Sequence, residues 1–515
     1  MLSVCLIGLA VPAWSHPGAR TEPRQAGPPN ALKAYAVKEA FQISWRGYYE
    51  HAFPNDNLLP LTNGFDNDRN GWGVTAIDSL STAIVVEDAT IVQQILEFVP
   101  TIDFTTTVEF NETVSVFETN IRYLGGLISA YDLLVGPYSH LVQDSSLVDS
   151  LLEQAVTLAD TLSIAFDTPS GFPDPTLFLN PAPARSGATT NNIAEAGTLV
   201  LEWTRLSDIT GDPVYADLSQ RAESYMVNPT GSPEPFPGLV GTFVSLEDGS
   251  FVDSNGGWAA YTDSFYEYLI KMYLYDPEAF SEYKDRWILA ADSTIEFLAS
   301  HPTSREELTF LSQYRGNNTI PTSGHLASFA GGNFILGGIL LGEQKYIDFG
   351  IELTESYYQT YTGTVTGIGP EGFRWVDSAL AADNPNNAPP PSNNEAFYEQ
   401  AGFWATSSAY ILRPETAESL YYAYRVTGDT KYQDMAWVAF NRIKVHARVG
   451  SGYAGVRDVN NPAGGYIDQM QSFFLAETIK YLYLIFAEES PVQVQVDGAN
   501  EWVYNTEAHP VKVRG

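Results

Sequence analysis

Apolar residues recur at helical spacing in segment after segment of this chain, and no sustained run of strand-like alternation comes between them. The i, i+3, i+4, i+7 pattern predicts helices over 31–53, 74–99, 116–134, 147–166, 192–210, 215–227 and 263–275. It continues over 279–299, 326–341, 346–361, 416–427, 431–445 and 472–487. Turns rich in Gly, Pro, Asn and Asp separate them. Many of these segments are apolar over most of their circumference, so each must pack on more than one side. An all-α fold of concentric helical rings, an α/α barrel, satisfies that demand. Its loops gather at the two ends, and one end carries a pocket. Residues 383–394, with Pro385 and the run Pro389–Pro391 among several Asn, are expected to form an exposed loop.

The chain has 515 residues, enough to bury a large core. Acidic residues outnumber basic ones by 62 to 27, for a net charge of -35. Such a surface repels nucleic acid and anionic membranes. Residues 1–15 hold a short apolar run followed by small residues, the pattern of a signal peptide, although no Lys or Arg precedes the run. Residues 16–30 read as a flexible leader and 31–515 as one catalytic domain. No other segment is long and apolar enough to span a bilayer. Cys5, the only cysteine, lies inside the signal, which excludes disulfides and cysteine chemistry from the mature chain. The sequons at Asn111 and Asn317 fit a secreted glycoprotein.

Several carboxylates stand out by context. Glu118 and Arg122 are one helical turn apart among apolar residues. Burial raises the pKa of such a carboxyl, and the guanidinium pulls it back and orients it. Asp263 sits at a helix start after Gly256-Gly257, with Glu267 one turn later; it reads equally as a helix cap or as a site residue. Pro414 marks another helix start, putting Glu415 in the first turn beside Arg413, with Glu418 on the same side. A carboxylate held ionised there suits a general base that activates water, or simply a favourable first turn. Glu477 lies in an apolar helix after Phe473 and needs a partner, a cation or water. Thr506 and Glu507 offer oxygens of the kind a hard cation takes. His325 opens a further apolar helix and reads first as a hydrogen-bonded core residue.

Taken together and in order, these segments resemble glycoside hydrolase family 47, the class I α-1,2-mannosidases, and especially the secreted fungal members. The match rests on Asp68–Gly73 with Asp78–Thr82, then 117–126, 263–271, 325–332, 366–371, 412–419, 472–481 and 505–510. The resemblance implies an (α/α)7 barrel and an inverting hydrolase that removes α-1,2-linked mannose from high-mannose N-glycans with calcium. It implies Glu415 as general base and Glu118 as general acid acting through a water, with Asp263 the rival acid. It implies Thr506 as the calcium ligand, with most other ligands waters or sugar hydroxyls and with Glu418, Glu477 and Glu507 hydrogen-bonded behind them. It makes Arg122, Glu267, His325, Arg413 and Phe473 residues that shape or support the sugar subsite. An inverting enzyme keeps its acid and base roughly 6.5–9.5 Å apart to admit water. A secreted monomer with no membrane or nucleic-acid partner is expected.

The sequence departs from the family in two places. The family disulfide joins regions that here hold Ser328 and Tyr357. The stretch before Asp263 carries Trp258 and Tyr261 where secreted relatives have small residues, so both are expected to narrow the pocket and alter branch preference. The 383–394 loop is expected to reshape the rim. The competing reading is a lectin-like, glycan-binding quality-control protein that has lost turnover.

Overall fold

The computed structural model describes residues 28–230 and 234–514. Inner helices Val74–Val85, Gly125–Val135, Leu199–Thr210, Asp263–Tyr275, Ala330–Leu341, Glu415–Thr427 and Ile479–Leu484 pack each on the next, and the last returns to the first. Each has an outer partner: Ala89–Phe98, Ser145–Leu162, Val214–Val227, Ser281–Ser293, Gln344–Gly363, Thr430–Ala447 and, for the last, the N-terminal helix Ala31–His51. This is an all-α (α/α)7 barrel. The division follows from composition. Every residue of Val74–Val85 is buried, whereas Ser145–Leu162 buries one stripe and exposes the other. Between the helices run antiparallel strands of two to four residues, too short to have left a period-two signal.

Helix boundaries have local causes. Asn30 Oδ1 accepts from Lys33 N at 3.1 Å and caps the first helix. Residues 28–30, expected to end a flexible leader, are instead fastened down. Asn30 N donates to Phe486 O, and Tyr424 Oη donates to Pro28 O. The signal peptide and the rest of the leader lie outside the described residues. The helix expected over 74–99 is two. Glu87 takes a φ of 53° and Asp88 caps the second helix by accepting from Ile91 N. The segment expected over 116–134 passes through a π-helical stretch, Thr119–Leu124, and Phe474–Thr478 is another. Both carry side chains of the site described below, a common location for such bulges.

The C-terminal hairpin pairs Trp502–Tyr504 with Pro510–Lys512. Its turn is buried inside the ring. Asn505 Nδ2 donates to Ile121 O and Glu202 Oε1, both at 2.9 Å. Lys271 Nζ donates to Asn505 O and Lys480 Nζ to Ala508 O. His509 Nδ1 meets Ser81 Oγ at 2.7 Å. Five elements thus grip one turn, which closes the inside of the barrel like a plug.

Ser328 and Tyr357, where the resemblance places a disulfide, are satisfied without one. Ser328 Oγ donates to His325 O and meets Thr416 Oγ1. Tyr357 is buried edge-on to Phe310 and bonds Ser323 Oγ at 2.7 Å. The 383–394 loop lacks regular structure, as expected, but is pinned. Asn387 is buried and exchanges hydrogen bonds with the Asp377 backbone.

Glu223, on an outer helix, is fully buried, and among the described residues neither carboxyl oxygen has a partner. Burial alone holds its pKa well above the ordinary value of 4.5. The carboxyl therefore stays protonated in the fold while the unfolded chain ionises, so stability drains away as pH rises past 4.5. Glu223→Met is expected to stabilise the protein by about 1–3 kcal/mol, more at pH 8 than at pH 5, read from denaturant midpoints. A gain independent of pH would contradict this.

Candidate active site

A cavity of about 360 Å³ opens at the plug. Among the residues the sequence singled out, Glu118, Arg122, Asp263, Arg413, Glu415, Phe473, Glu477, Thr506 and Glu507 line it. They arrive from separate inner helices, the two π-stretches and the hairpin turn. His325, Glu267 and Glu418, expected at the sugar subsite, are buried one layer behind the wall and do not line it. Each holds or faces a residue that the site uses.

Glu415 opens its helix with Oε2 against His325 Nδ1 at 2.6 Å. The second imidazole nitrogen meets Tyr361 Oη at 2.7 Å, which fixes the ring. Burial would raise the Glu415 pKa, but His325 and the Arg413 guanidinium, 3.6 Å from Oε1, bring it below the ordinary value. Arg413 is itself anchored by Nε to Glu371 Oε2 at 2.6 Å.

Glu118 is held by cations on both oxygens. Arg122 Nε donates to Oε2 at 2.7 Å, and Arg69 Nη2 approaches Oε1 at 3.5 Å. Burial opposes ionisation, and the two guanidiniums overcome it, so the pKa is lowered. Asp263 has no such help. Its Oδ1 accepts from Ser264 N at 2.8 Å, and burial with the nearby charges of Glu267 and Glu415 pushes it up to about 7. Phe473 lies between two guanidiniums, with Arg122 Cζ 5.5 Å and Arg413 Cζ 6.0 Å from its ring centre.

Thr506 sits at the tip of the plug. Its Oγ1 donates to Glu267 Oε2 at 2.7 Å, and Glu267 in turn pairs with Lys271. Among the described residues, the Thr506 carbonyl oxygen accepts no hydrogen bond. Glu477 and Glu507 face the same space and Glu418 stands behind it. Burial first, and then the crowding of like charges, raises the pKa of Glu477 and Glu418; burial also raises Glu507 despite its pairing with Arg122. A cation would relieve that excess. Among the described residues no three His, Cys, Asp or Glu side chains converge closely enough to hold one directly. The donor set therefore suits a hard ion held by Thr506 oxygens and water, with the carboxylates one shell out.

Backbone strain gathers here as well. Tyr261, Leu412 and Ala508 have φ of 75°, 74° and 56°, and each lies within two residues of Asp263, Arg413 or Thr506. Such angles cost a non-glycine residue free energy and persist where the surroundings impose them.

The glycosyl hydrolase family 47 model matches residues 40–513. The chain belongs to that family. As a family 47 glycoside hydrolase it is 50% identical to the mannosyl-oligosaccharide alpha-1,2-mannosidase 1B of Aspergillus phoenicis, over 99% of this chain and 98% of the relative. It is 52% identical to the mannosyl-oligosaccharide alpha-1,2-mannosidase of Penicillium citrinum, over 97% and 96%. The solved alpha-1,2-mannosidase from Trichoderma reesei superposes with a TM-score of 0.93 at 62% identity, covering 95% of this chain and all of that one.

Sequence reasoning missed several residues of this family 47 site. Asn192 and Glu195 line the cavity, and their Asn-x-x-Glu spacing is a helix-start signature that went unread. Tyr361, Glu371 and Arg69 set the charge and orientation of Glu415, Arg413 and Glu118; Arg69 and Glu371 lie in segments that carry the family resemblance but drew no role, and nothing in the sequence marks Tyr361. Trp258 requires a correction. It does not narrow the pocket; its ring is buried and stacked on Tyr266, with Nε1 donating to Thr294 Oγ1 at 2.8 Å. Tyr261, 59% exposed, does stand at the rim. The 383–394 loop does not line this cavity. Among the described residues no helix is long and apolar enough to cross a membrane.

Proposed function

We propose that this chain is a calcium-dependent, inverting mannosyl-oligosaccharide α-1,2-mannosidase that trims terminal α-1,2-linked mannose from high-mannose N-glycans, working as a secreted, glycosylated monomer. The observation that carries the reading is a carboxylate whose pKa is lowered, Glu415, lining the same cavity as a carboxyl that burial pushes up to about 7, Asp263. The printed activities of the Aspergillus, Penicillium and Trichoderma relatives support the substrate class.

Glu415, oriented by His325 and Tyr361, takes the proton from the attacking water. Asp263 gives its proton to the leaving oxygen. Glu118 stays ionised between Arg122 and Arg69 and is better suited to orienting water and sugar than to direct donation. Phe473 and its flanking guanidiniums wall the ring, and Thr506 would hold a calcium ion together with water, with Glu477 and Glu507 behind that water. When bound, calcium grips sugar hydroxyls and neutralises the local negative charge.

The acid is tested with a mannoside whose aryl leaving group needs no protonation. On an oligosaccharide the parent releases mannose as its β-anomer, and Asp263→Asn slows that release about 10²-fold or more. On the aryl mannoside Asp263→Asn recovers most of the rate, and the alkaline limb near pH 7 disappears from its profile. Glu118→Gln slows both substrates alike. Rescue of Glu118→Gln instead would move the acid to Glu118, and α-mannose as first product would overturn inversion.

A further inference from the structure

Glu202, on the inner helix Leu199–Thr210, is fully buried and does not line the catalytic cavity. No step of the proposed reaction uses it. A buried carboxyl is costly unless hydrogen bonds offset the water it loses. Here both bonds fall on one oxygen. Oε1 accepts from Tyr268 Oη at 2.8 Å and from Asn505 Nδ2 at 2.9 Å, while Oε2 has no partner among the described residues. Burial pushes the pKa up to about 7 against the pull of Asn505 and Tyr268.

Both donors lead to the turn of the plug. The Tyr268 hydroxyl gives its proton to Glu202 and presents its oxygen to Thr506 N at 3.2 Å. The Asn505 amide turns its nitrogen to Glu202 and Ile121 O. Its oxygen then accepts from Glu507 N at 2.9 Å and from His509 N at 2.8 Å. One acceptor thus sets the direction of the hydrogen bonds on three amides of a single turn. The seat is tight, since a Cβ on Gly125 would lie 2.4 Å from Asn505 Nδ2. The turn is also strained at Ala508, whose φ is 56°, and such a conformation persists only where the surroundings impose it.

We propose that Glu202 is a positioning residue: through Tyr268 and Asn505 it fixes the turn that presents the Thr506 oxygens to calcium. This rests on the calcium reading of the site. Losing an outer partner of a metal ligand weakens binding of the ion by about 10–100-fold.

The test compares Glu202→Gln with Glu202→Met. Glutamine keeps an acceptor for both donors, and methionine keeps the length without it. Calcium is titrated calorimetrically into protein stripped of metal, and the thermal midpoint in chelator reads folding alone. Glu202→Gln is expected to bind calcium within about threefold of the parent, and Glu202→Met about tenfold or more weakly. A role confined to stability lowers the midpoint of Glu202→Met and leaves its Kd unmoved, and that result overturns the proposal. Equal weakening in both variants overturns it too, because charge and not hydrogen bonding would then be responsible. Should Glu202→Met not fold, Tyr268→Phe deletes only the hydroxyl between Glu202 and Thr506. It is expected to weaken calcium about tenfold, and an unchanged Kd counts against the proposal. A parent that binds no calcium removes the calcium reading by itself, and amide exchange over residues 505–509 then decides. Faster exchange in Glu202→Met, or in Tyr268→Phe, than in Glu202→Gln sustains Glu202 as the holder of the turn. Equal exchange overturns it.

Discussion

Glu415→Gln will release mannose about 10²–10⁴-fold more slowly than the parent while still binding the oligosaccharide. The reason lies in what the amide keeps and what it loses. Glutamine matches glutamate in shape, so the contacts with His325 and Arg413 can persist and the cavity keeps its form. It has no basic lone pair matched to a water proton. The parent carboxylate is buried, yet His325 and Arg413 lower its pKa below the ordinary value and so favour the base form. Single-turnover rates together with glycan titration separate the two effects. Near-normal rates would remove Glu415 as base. A parent that bound glycan and released no mannose at any calcium concentration would make the chain a lectin-like relative.

Calcium removal is expected to act as strongly, and on two observables. A chelator abolishes mannose release and lowers the thermal midpoint; added calcium restores both. At a free concentration 100 times Kd, a ligand that binds only the folded state stabilises it by about 2.7 kcal/mol. The buried excess of Glu418, Glu477 and Glu507 is the reason to expect the stability effect independently of turnover. Thr506→Ala removes the hydroxyl proposed to hold the ion and frees Glu267 Oε2, so its midpoint should respond little to calcium. A variant that kept the full calcium shift, or a parent indifferent to chelator, would remove Thr506 or the ion from the site.

The barrel was legible because its inner helices are apolar all round, and periodicity reads that directly; Asp263–Tyr275 has the expected bounds. Where the reading failed, a local feature outweighed periodicity. Glu87 and Asp88 break 74–99 through a left-handed residue and a cap, signals present in the sequence but submerged in a long apolar stretch. The π-stretches at Arg122 and Glu477 follow neither the 3.6 nor the two-residue period. The site divides in the same way. Glu118 and Arg122 were legible as neighbours because they are a turn apart, and the structure pairs them. Glu415 and Thr506 were legible only as a candidate base and a candidate oxygen donor, and resemblance chose among the alternatives, since several partners that set their chemistry come from distant elements. Tyr361 and Glu371 reach the site only through the closed ring. Trp258 misled for a physical reason: an indole beside a pocket motif looks like a wall, but its carbon surface is better buried in the core, where Thr294 satisfies its one donor.

The plug also fixes an order of events in the cell. Chains are made from the N-terminus, and Thr506 and Glu507 leave the ribosome after every other residue of the cavity. Ile479–Leu484 must likewise wait to meet the first helix. Most of the barrel wall is thus made before the turn that carries Thr506, and its closing helix only shortly before. A chain still being made therefore displays a cavity wall that lacks Thr506 and Glu507.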